Sequence, residues 1–353
     1  MFKTPSKAIE DLSVEDERLV KLPDGRDLEI SILTYPIPVN DQLTLIDLWW
    51  TEWTKADYDW LRSMRGAYSS TLRIRSAVAR IEGRAVATAS VCYACDSPEV
   101  STVGSVLTHP NYRGLGMAAQ LTETVAQLSF ADGCKVSYLG ATRSPRCVYL
   151  RCGFEWWNGG VMRRPAPGAG DCEQGMFAAG QKTRLREACW GDLPGMACLV
   201  VQPLESLVLD YPRALLSGKY VTLQRCVSNF PVVHDQVTER DGAMCVVAGE
   251  APHRILGFGT LTPDPGVARR HKAVIDVAAH DAYDSELDVM VCHLLERAKE
   301  RQIESVQAYV AVWDRRKADR FKRFGFRPIA TLPGQLRVAE QNVDVEVLES
   351  EVR

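Results

Sequence analysis

One stretch of this chain has the residue types and spacing of an anion cradle: Arg113-Gly114-Leu115-Gly116-Met117-Ala118. It follows an apolar run ending in Val106-Leu107-Thr108 that reads as a buried strand, and it opens at once into a helix read over Met117–Phe130. Gly114 and Gly116 lack Cβ, so positive φ angles cost little and backbone N–H groups can approach a ligand closely. The helix N-terminus offers unpaired donors and a partial positive charge. Arg113 sets a cation beside it. Such a turn can hold a pyrophosphate, although a tight turn that merely caps a helix uses the same glycines. It is not a Walker loop, because the Lys-Ser/Thr pair is missing, nor a Rossmann fingerprint, whose third glycine comes later.

The elements that must position this loop are legible around it. A strand is read at LEISILTY, then a Pro-containing turn and a helix rich in Leu and Trp from about Asp41. Strands LRIRSAVARIEG and RAVATASVCYA follow, joined at Glu82-Gly83, and then STVGSVLT. After the helix, which stops near Asp132-Gly133, come a strand VSYLGAT, a short helix and a strand VMRR. The stretch RPAPGAGD reads as a linker. The second half repeats the scheme: TRLREA, an Asp-capped helix DLPGMACLVV, strands MCVVAG, RILGFGTLT and KAVIDVAA, a helix DSELDVMVCHLLERAKERQ, a strand SVQAYVAV and a helix RRKADRFKRF. His109-Pro110-Asn111-Tyr112 matches His280-Asp281-Ala282-Tyr283 at an offset of 280 − 109 = 171. Cys152-Gly153-Phe154 matches Phe324-Gly325-Phe326 at 324 − 152 = 172. Two matches at nearly one spacing indicate a tandem duplication.

An R-x-x-G-x-A loop after a strand ending in x-T-x-P-x-x resembles the pattern of the GNAT superfamily of N-acetyltransferases. The resemblance extends over most of the chain, twice. It implies two α/β (α+β) domains, each a mixed, mostly antiparallel sheet flanked by helices. The expected boundaries are a polar N-terminal arm over 1–25, a catalytic domain over 26–165, a linker over 166–180 and a degenerate domain over 181–353. It further implies that Arg113, Gly114, Leu115, Gly116, Met117 and Ala118 lie along the pyrophosphate of acetyl-CoA or another acyl-CoA. Val106, Leu107 and Thr108 would bond the pantetheine arm as a neighbouring strand does, and a strand splayed there frees N–H groups for an oxyanion. In the superfamily a Tyr in Y-x-x-x-G-F closes the helix flanking the thioester, and Tyr149-Leu150-Arg151-Cys152-Gly153-Phe154 fits that pattern. A thiol of pKa about 8.5 leaving beside a phenol of about 10 can be protonated by it. The family's Asn seven residues earlier is Thr142 here.

An amine of pKa about 10.4 needs help to lose its proton, and Glu99, ahead of the cofactor strand, is the candidate base, with Asp96 and His109 behind it. Trp50 and Trp53, in the aromatic-rich segment that also holds Trp49, Tyr58 and Trp60, are expected to line the acceptor site, with Trp156-Trp157 in the same wall, or else to form a surface packed on the second domain. In the second copy the loop becomes Asp284-Ser285-Glu286-Leu287-Asp288-Val289 and Tyr149 becomes Phe321. Carboxylates repel a phosphate and Phe has no proton to give, so that copy is expected to keep the fold and lose the chemistry.

Composition bounds the rest. The chain has 353 residues, a formal net charge of −3 and 46% hydrophobic residues, so two ordinary soluble domains are expected. That charge gives no general attraction to nucleic acid or to an anionic membrane. No run is long and apolar enough for a membrane span, and the polar N-terminus is unlike a signal peptide. Eleven scattered cysteines fit a reducing cytoplasm, and Cys92 and Cys95 form a CxxC with no second pair, read as core and not as metal ligands. The expected activity is acyl transfer, acetyl in the first instance, from CoA to the amine of a small molecule. A ternary complex with direct attack on the thioester is expected, with no metal and no nucleic-acid partner. A protein amine, a carrier-protein or aminoacyl-tRNA donor and a CoA-binding scaffold are the alternatives.

Overall fold

The computed structural model describes residues 18–21, 25–52, 58–141, 146–158, 160–204, 234, 237, 241–264, 266–338 and 340–352. The first part runs β1 (Arg18–Lys21), β2 (Asp27–Thr34), α1 (Val39–Trp49), α2 (Tyr58–Met64), β3 (Leu72–Ile81), β4 (Arg84–Ala94), β5 (Val100–Thr108), α3 (Met117–Ala131), β6 (Val136–Gly140), α4 (Arg146–Arg151), β7 (Glu155–Asn158) and β8 (Val161–Pro165). Its eight strands lie in the order β1-β2-β3-β4-β5-β6-β8-β7. Every pair is antiparallel except β5–β6, because α3 carries the chain back across the sheet between them.

A short helix α5 (Cys172–Met176) lies between the two sheets in sequence. The second part runs β9 (Arg184–Glu187), α6 (Leu193–Val200), β10 (Ala243–Ala248), β11 (Ile255–Pro263), β12 (Lys272–Ala279), α7 (Glu286–Glu300), β13 (Ser305–Ala311), α8 (Arg315–Arg323), β14 (Arg327–Val338) and β15 (Gln341–Glu351). Its order is β14-β15-β13-β12-β11-β10-β9, again with one parallel pair, β12–β13. Strands β1, β7, β14 and β15 add to the elements read from the sequence. No described helix is long and apolar enough to cross a membrane.

The two sheets repeat local detail as well as order. His109 accepts from Asn111 N at 3.2 Å through Nδ1 and starts a 3-10 turn; His280 does the same with Ala282 N, also at 3.2 Å. Both therefore act as caps. Gly153 and Gly325 take φ of +75° and +84° just after α4 and α8, where a left-handed residue ends a helix cheaply. The following Phe154 and Phe326 donate back to the carbonyls of Tyr149 and Phe321.

Helix α3 covers one face of the first sheet, with Met117, Leu121 and Val125 packed on Ala77, Ala87 and Val91. Helix α1 covers part of the opposite face through Leu45, Leu48 and Trp49. The remainder of that face is filled from the other half of the chain. All eight residues of α6 are buried, and Met196, Leu199 and Val200 share one apolar cluster with Tyr68, Leu72, Val100, Val136 and Tyr138. A helix apolar all round needs partners on all sides, and two sheets supply them.

Asp192 departs from the simple cap expected of it. It stands at the N-cap of α6 without a side-chain cap bond. Its carboxylate instead takes both Arg186 guanidinium nitrogens, at 2.7 and 2.6 Å, His253 Nδ1 at 2.8 Å and Cys189 N at 2.8 Å. Charge-assisted bonds to three partners outbid one helix amide.

Candidate active site

Strand β5 pairs with β6 only from Val100 to Val103. Beyond that point the two diverge, so the β5 backbone from Gly104 to Thr108 has lost its β6 neighbour. The divergence coincides with a bulge. Thr88 faces Leu107 and Ser90 faces Gly104, so two residues advance on β4 while three advance on β5. Ser105 takes up the excess at φ +50°, an uncommon value for a residue with a side chain. Sequence reading placed the splay at Val106-Leu107-Thr108, and these residues lie in the stretch of β5 that no longer pairs with β6. The bulge itself needs a register that no local pattern supplies.

The loop at the open end has the backbone its glycines allow. Gly114 and Gly116 sit at φ +85° and +82°, and an added Cβ would meet nothing within 4 Å at either. These glycines are required by dihedral, not by crowding. Gly116 is the N-cap of α3 and supplies no side-chain cap, so the first amides of that helix are left to another acceptor. Thr108 Oγ1 is buried without a partner on the same strand. A strand that has parted from its β6 neighbour, an uncapped helix start and an orphaned hydroxyl fit an extended ligand with amide and phosphate groups, as an acyl-CoA is.

Arg113 is occupied. Its Nε donates to Thr108 O at 3.3 Å and its Nη2 is ion-paired with Glu52, just past α1. Both side chains are well exposed, and exposed pairs contribute only about 0–1 kcal/mol, so a phosphate can displace the carboxylate at little cost. Leu115 is 37% exposed beside it, and Met117 and Ala118 begin α3, with Met117 buried.

Tyr149, on α4, is 4% exposed and shares one apolar cluster with Met117, Ala141 and Cys152. Tyr149 and the first residue of α3 thus belong to the same apolar core. Thr142 and Trp53 lie outside the described residues.

Glu99 is not brought to the loop. It precedes β5, whereas the loop follows that strand, roughly 30 Å away for an extended run of this length. Arg254 of the second part grips both its carboxylate oxygens, at 2.8 and 2.7 Å, and Lys135 Nζ lies 2.7 Å from one of them. Burial alone raises a carboxyl pKa, but here the two cations outweigh it and hold Glu99 below its ordinary value. Glu99 thus stands at the junction of the two parts, at the opposite end of β5 from the loop.

The tryptophans divide between core, surface and junction. Trp49 is buried, whereas Trp50, the C-cap of α1, is 59% exposed. Trp157 joins the junction between the halves, donating from Nε1 to Val201 O at 3.0 Å, and Tyr68 packs on Trp190 with ring centroids 4.0 Å apart. Among the described residues, the second half packs on the first through α6 and Trp190. Cys92 and Cys95 turn to Thr102 Oγ1 and Ser69 O and stay free. Sequence reading missed a line of buried hydroxyls beside the bulge: Ser90 to Ser76 at 2.7 Å and Ser76 to Tyr35 at 3.0 Å. Burial pushes the Tyr35 phenol up to about 12, against the two serines, so it stays protonated.

The corresponding place in the second sheet is closed. Asp276 on β12 binds Lys317 Nζ at 2.8 Å, with both residues buried. Arg316 reaches Asp281 at 2.8 Å and Asp284 at 3.1 Å, and Arg320 reaches Asp288 at 2.7 Å and also Asp284. These ties cross from β12 and the start of α7 to α8, over the line where β12 parts from β13 after Val274.

Residues 73–156 match a family described as acetyltransferase (GNAT) domain. Among solved structures, the acetyltransferase of GNAT family from Streptococcus pneumoniae is 16% identical, covering 49% of this chain and 100% of that one, with a TM-score of 0.40. Ribosomal-protein-alanine N-acetyltransferase from Brucella melitensis is also 16% identical, covering 48% and 99%, with a TM-score of 0.40. A GNAT superfamily phosphinothricin acetyltransferase from Sinorhizobium meliloti, in complex with AcCoA, is 11% identical, covering 48% and 88%, with a TM-score of 0.41. No curated protein matched the chain. Residues 73–156, which hold the loop, the bulged strand and Tyr149, are thus similar to the acetyltransferase (GNAT) domain.

Proposed function

We propose that the first part of the chain transfers an acyl group, acetyl in the first instance, from CoA to the amine of a small molecule, in a ternary complex. The observation that carries this reading is the cleft where β5 leaves β6 at Val103, running into the uncapped N-terminus of α3. Acetyl-CoA supplies the activated acyl group. The amides of Leu115 to Ala118 and the Arg113 guanidinium would hold its pyrophosphate. Val106, Leu107 and Thr108 would pair with its amide-bearing arm, and freed β5 N–H groups would face the thioester carbonyl. The amine attacks that carbonyl directly, a C–N bond forms, the C–S bond breaks, and Tyr149 passes its proton to the departing sulfur. Tyr149 then regains a proton from solvent, into which the new amide's surplus proton is lost.

A small acceptor is supported by the net charge of −3, which offers no general attraction for nucleic acid. Ten described cysteines, all free thiols, support a reducing, cytoplasmic setting. The second part is read as a duplicated domain that has kept the fold and closed its cofactor cleft. Thiol release from acetyl-CoA, measured over a panel of small amines and of peptides with free N-termini or lysines, tests the proposal. Turnover with small amines is the expected result, and turnover with peptides alone would overturn the acceptor class.

A further inference from the structure

The bulge in β5 is supported from outside its own strand. Trp49, the last residue of α1, is 2% exposed and donates from Nε1 to Thr88 Oγ1 at 3.2 Å. Thr88 is wholly buried on β4, and its hydroxyl donates to the carbonyl of Ser105 at 2.8 Å. Ser105 is the bulge residue. A hydroxyl has one proton to give and lone pairs to accept with, so Thr88 is used in both directions, indole in and carbonyl out. A non-glycine residue at positive φ is strained and persists only where its surroundings over-determine it. The two links in series tie Ser105 to a buried helix end.

The second sheet serves as an internal control. There Phe258 faces Ala278 where Thr88 faces Leu107, so the hydroxyl is gone. Helix α6, the counterpart of α1, carries no tryptophan. Asp276, 171 positions after Ser105, lies in a β11–β12 ladder with no register shift. Where the relay is missing, the bulge is missing too.

We propose that Trp49 and Thr88 are positioning residues for acyl transfer: their relay fixes the Ser105 bulge and so aims the β5 amides at the acyl carbonyl. This rests on reading the cleft as the acyl-CoA site. Neither side chain touches the reacting atoms.

The test is Thr88→Val, which keeps the shape and removes the hydroxyl, assayed in the full-length protein with acetyl-CoA and an accepted amine. Turnover should fall roughly 10- to 100-fold, the scale of a reacting group displaced by about 1 Å. Affinity for CoA, read by calorimetry, should stay within about threefold, since the loop and helix that hold the pyrophosphate are untouched. Thr88→Ser should restore most of the turnover, and Trp49→Phe, which keeps an aromatic ring and drops the indole N–H, should reproduce part of the loss. Wild-type turnover in Thr88→Val would overturn the relay. So would equal losses in Thr88→Val and Thr88→Ser, which mark packing alone. A wild-type protein that binds no CoA would sink the cleft reading and the relay's role with it, an outcome distinct from any variant result.

Discussion

Arg254, from the β10–β11 turn of the second sheet, holds Glu99, at the foot of β5 in the first, by two hydrogen bonds of 2.8 and 2.7 Å. The pair ties the two halves together where β5 begins. Lys135 on one side and Gln181 on the other complete the knot.

Removing one partner leaves the other buried charge short of a bond. Arg254→Met should therefore lower stability by about 2 kcal/mol, the scale of hydrogen bonds to charged groups. Thermal unfolding should shift down by a few degrees. Turnover of the folded variant at 25 °C should stay within about twofold of wild type. A loss of turnover without a loss of stability would return Glu99 to the list of catalytic groups.

Tyr149→Phe keeps the ring in its apolar cluster and deletes the hydroxyl. The expected result is a turnover lower by roughly 10²–10⁴, with CoA affinity nearly unchanged. Steady-state kinetics and calorimetry on the same preparation check both halves of that statement. Wild-type turnover, with chemistry shown to be rate-limiting, would exclude the proton-donor role.

One CoA should bind per chain. Gly116→Asp puts a carboxylate at the start of α3, at φ +82°, and should abolish CoA binding while leaving the fold intact, because the added Cβ meets no neighbour. Gly116→Ala, with strain alone and no charge, should cost about 1 kcal/mol. Changes at Glu286 in the second copy should leave affinity unchanged. Phe321→Tyr should gain no activity, since Arg316, Lys317 and Arg320 stay clasped to the carboxylates around them. Calorimetry that fits two equivalent sites would contradict this.

What was legible beforehand was local. The loop, its glycines at positive φ and the helix behind it depend on neighbouring residues, and they stand where the pattern put them. What escaped reading depends on distant partners. Glu99 owes its role to Arg254, 155 positions away. The bulge at Ser105 exists only relative to β4. Trp49 and Trp50 are adjacent in sequence but about 100° apart around a helix, so one enters the core while the other faces solvent. The sequence marks the tryptophan cluster without telling which ring is inside.

The Arg186–Asp192–His253 cluster predicts a pH response. His253 faces Asp192, Cys189 and the ring's own neighbour Gly191, with Arg186 on the far side of the carboxylate. Burial pulls an imidazole pKa down, but the bond to Asp192 and the nearby Cys189 more than reverse this and raise it to about 9. Because the folded value exceeds the usual 6.5, His253 contributes its full stability below pH about 6.5 and loses it as pH rises through 9. Asp192 is held at about 2, against burial, by Arg186 and His253, so its contribution is lost only in strong acid. Melting temperature should fall between pH 6.5 and 9 in the wild type and should fall less in His253→Gln. Parallel curves for the two proteins would show that the imidazole is not charged in the fold.

A second half that binds no CoA would be retained for the surface it covers. In the first sheet Tyr68, Leu72, Val100, Val136 and Tyr138 are nearly inaccessible, and their cover is α6 of the second part. Each large apolar side chain uncovered forfeits about 1.5–3 kcal/mol. Five such residues together forfeit about 8–15 kcal/mol, comparable to the whole stability of a domain, about 5–15 kcal/mol. Residues 1–168 expressed alone should therefore aggregate, or bind an apolar dye and melt well below the full chain. The uncovered face also meets β5 at Val100, at the foot of the cofactor strand. Any soluble fraction should accordingly show weaker acceptor turnover, measured as kcat/KM against the full chain. If 1–168 stays monomeric and acylates the same amine with unchanged kcat/KM, the second half neither covers nor shapes the active domain, and its retention needs another cause.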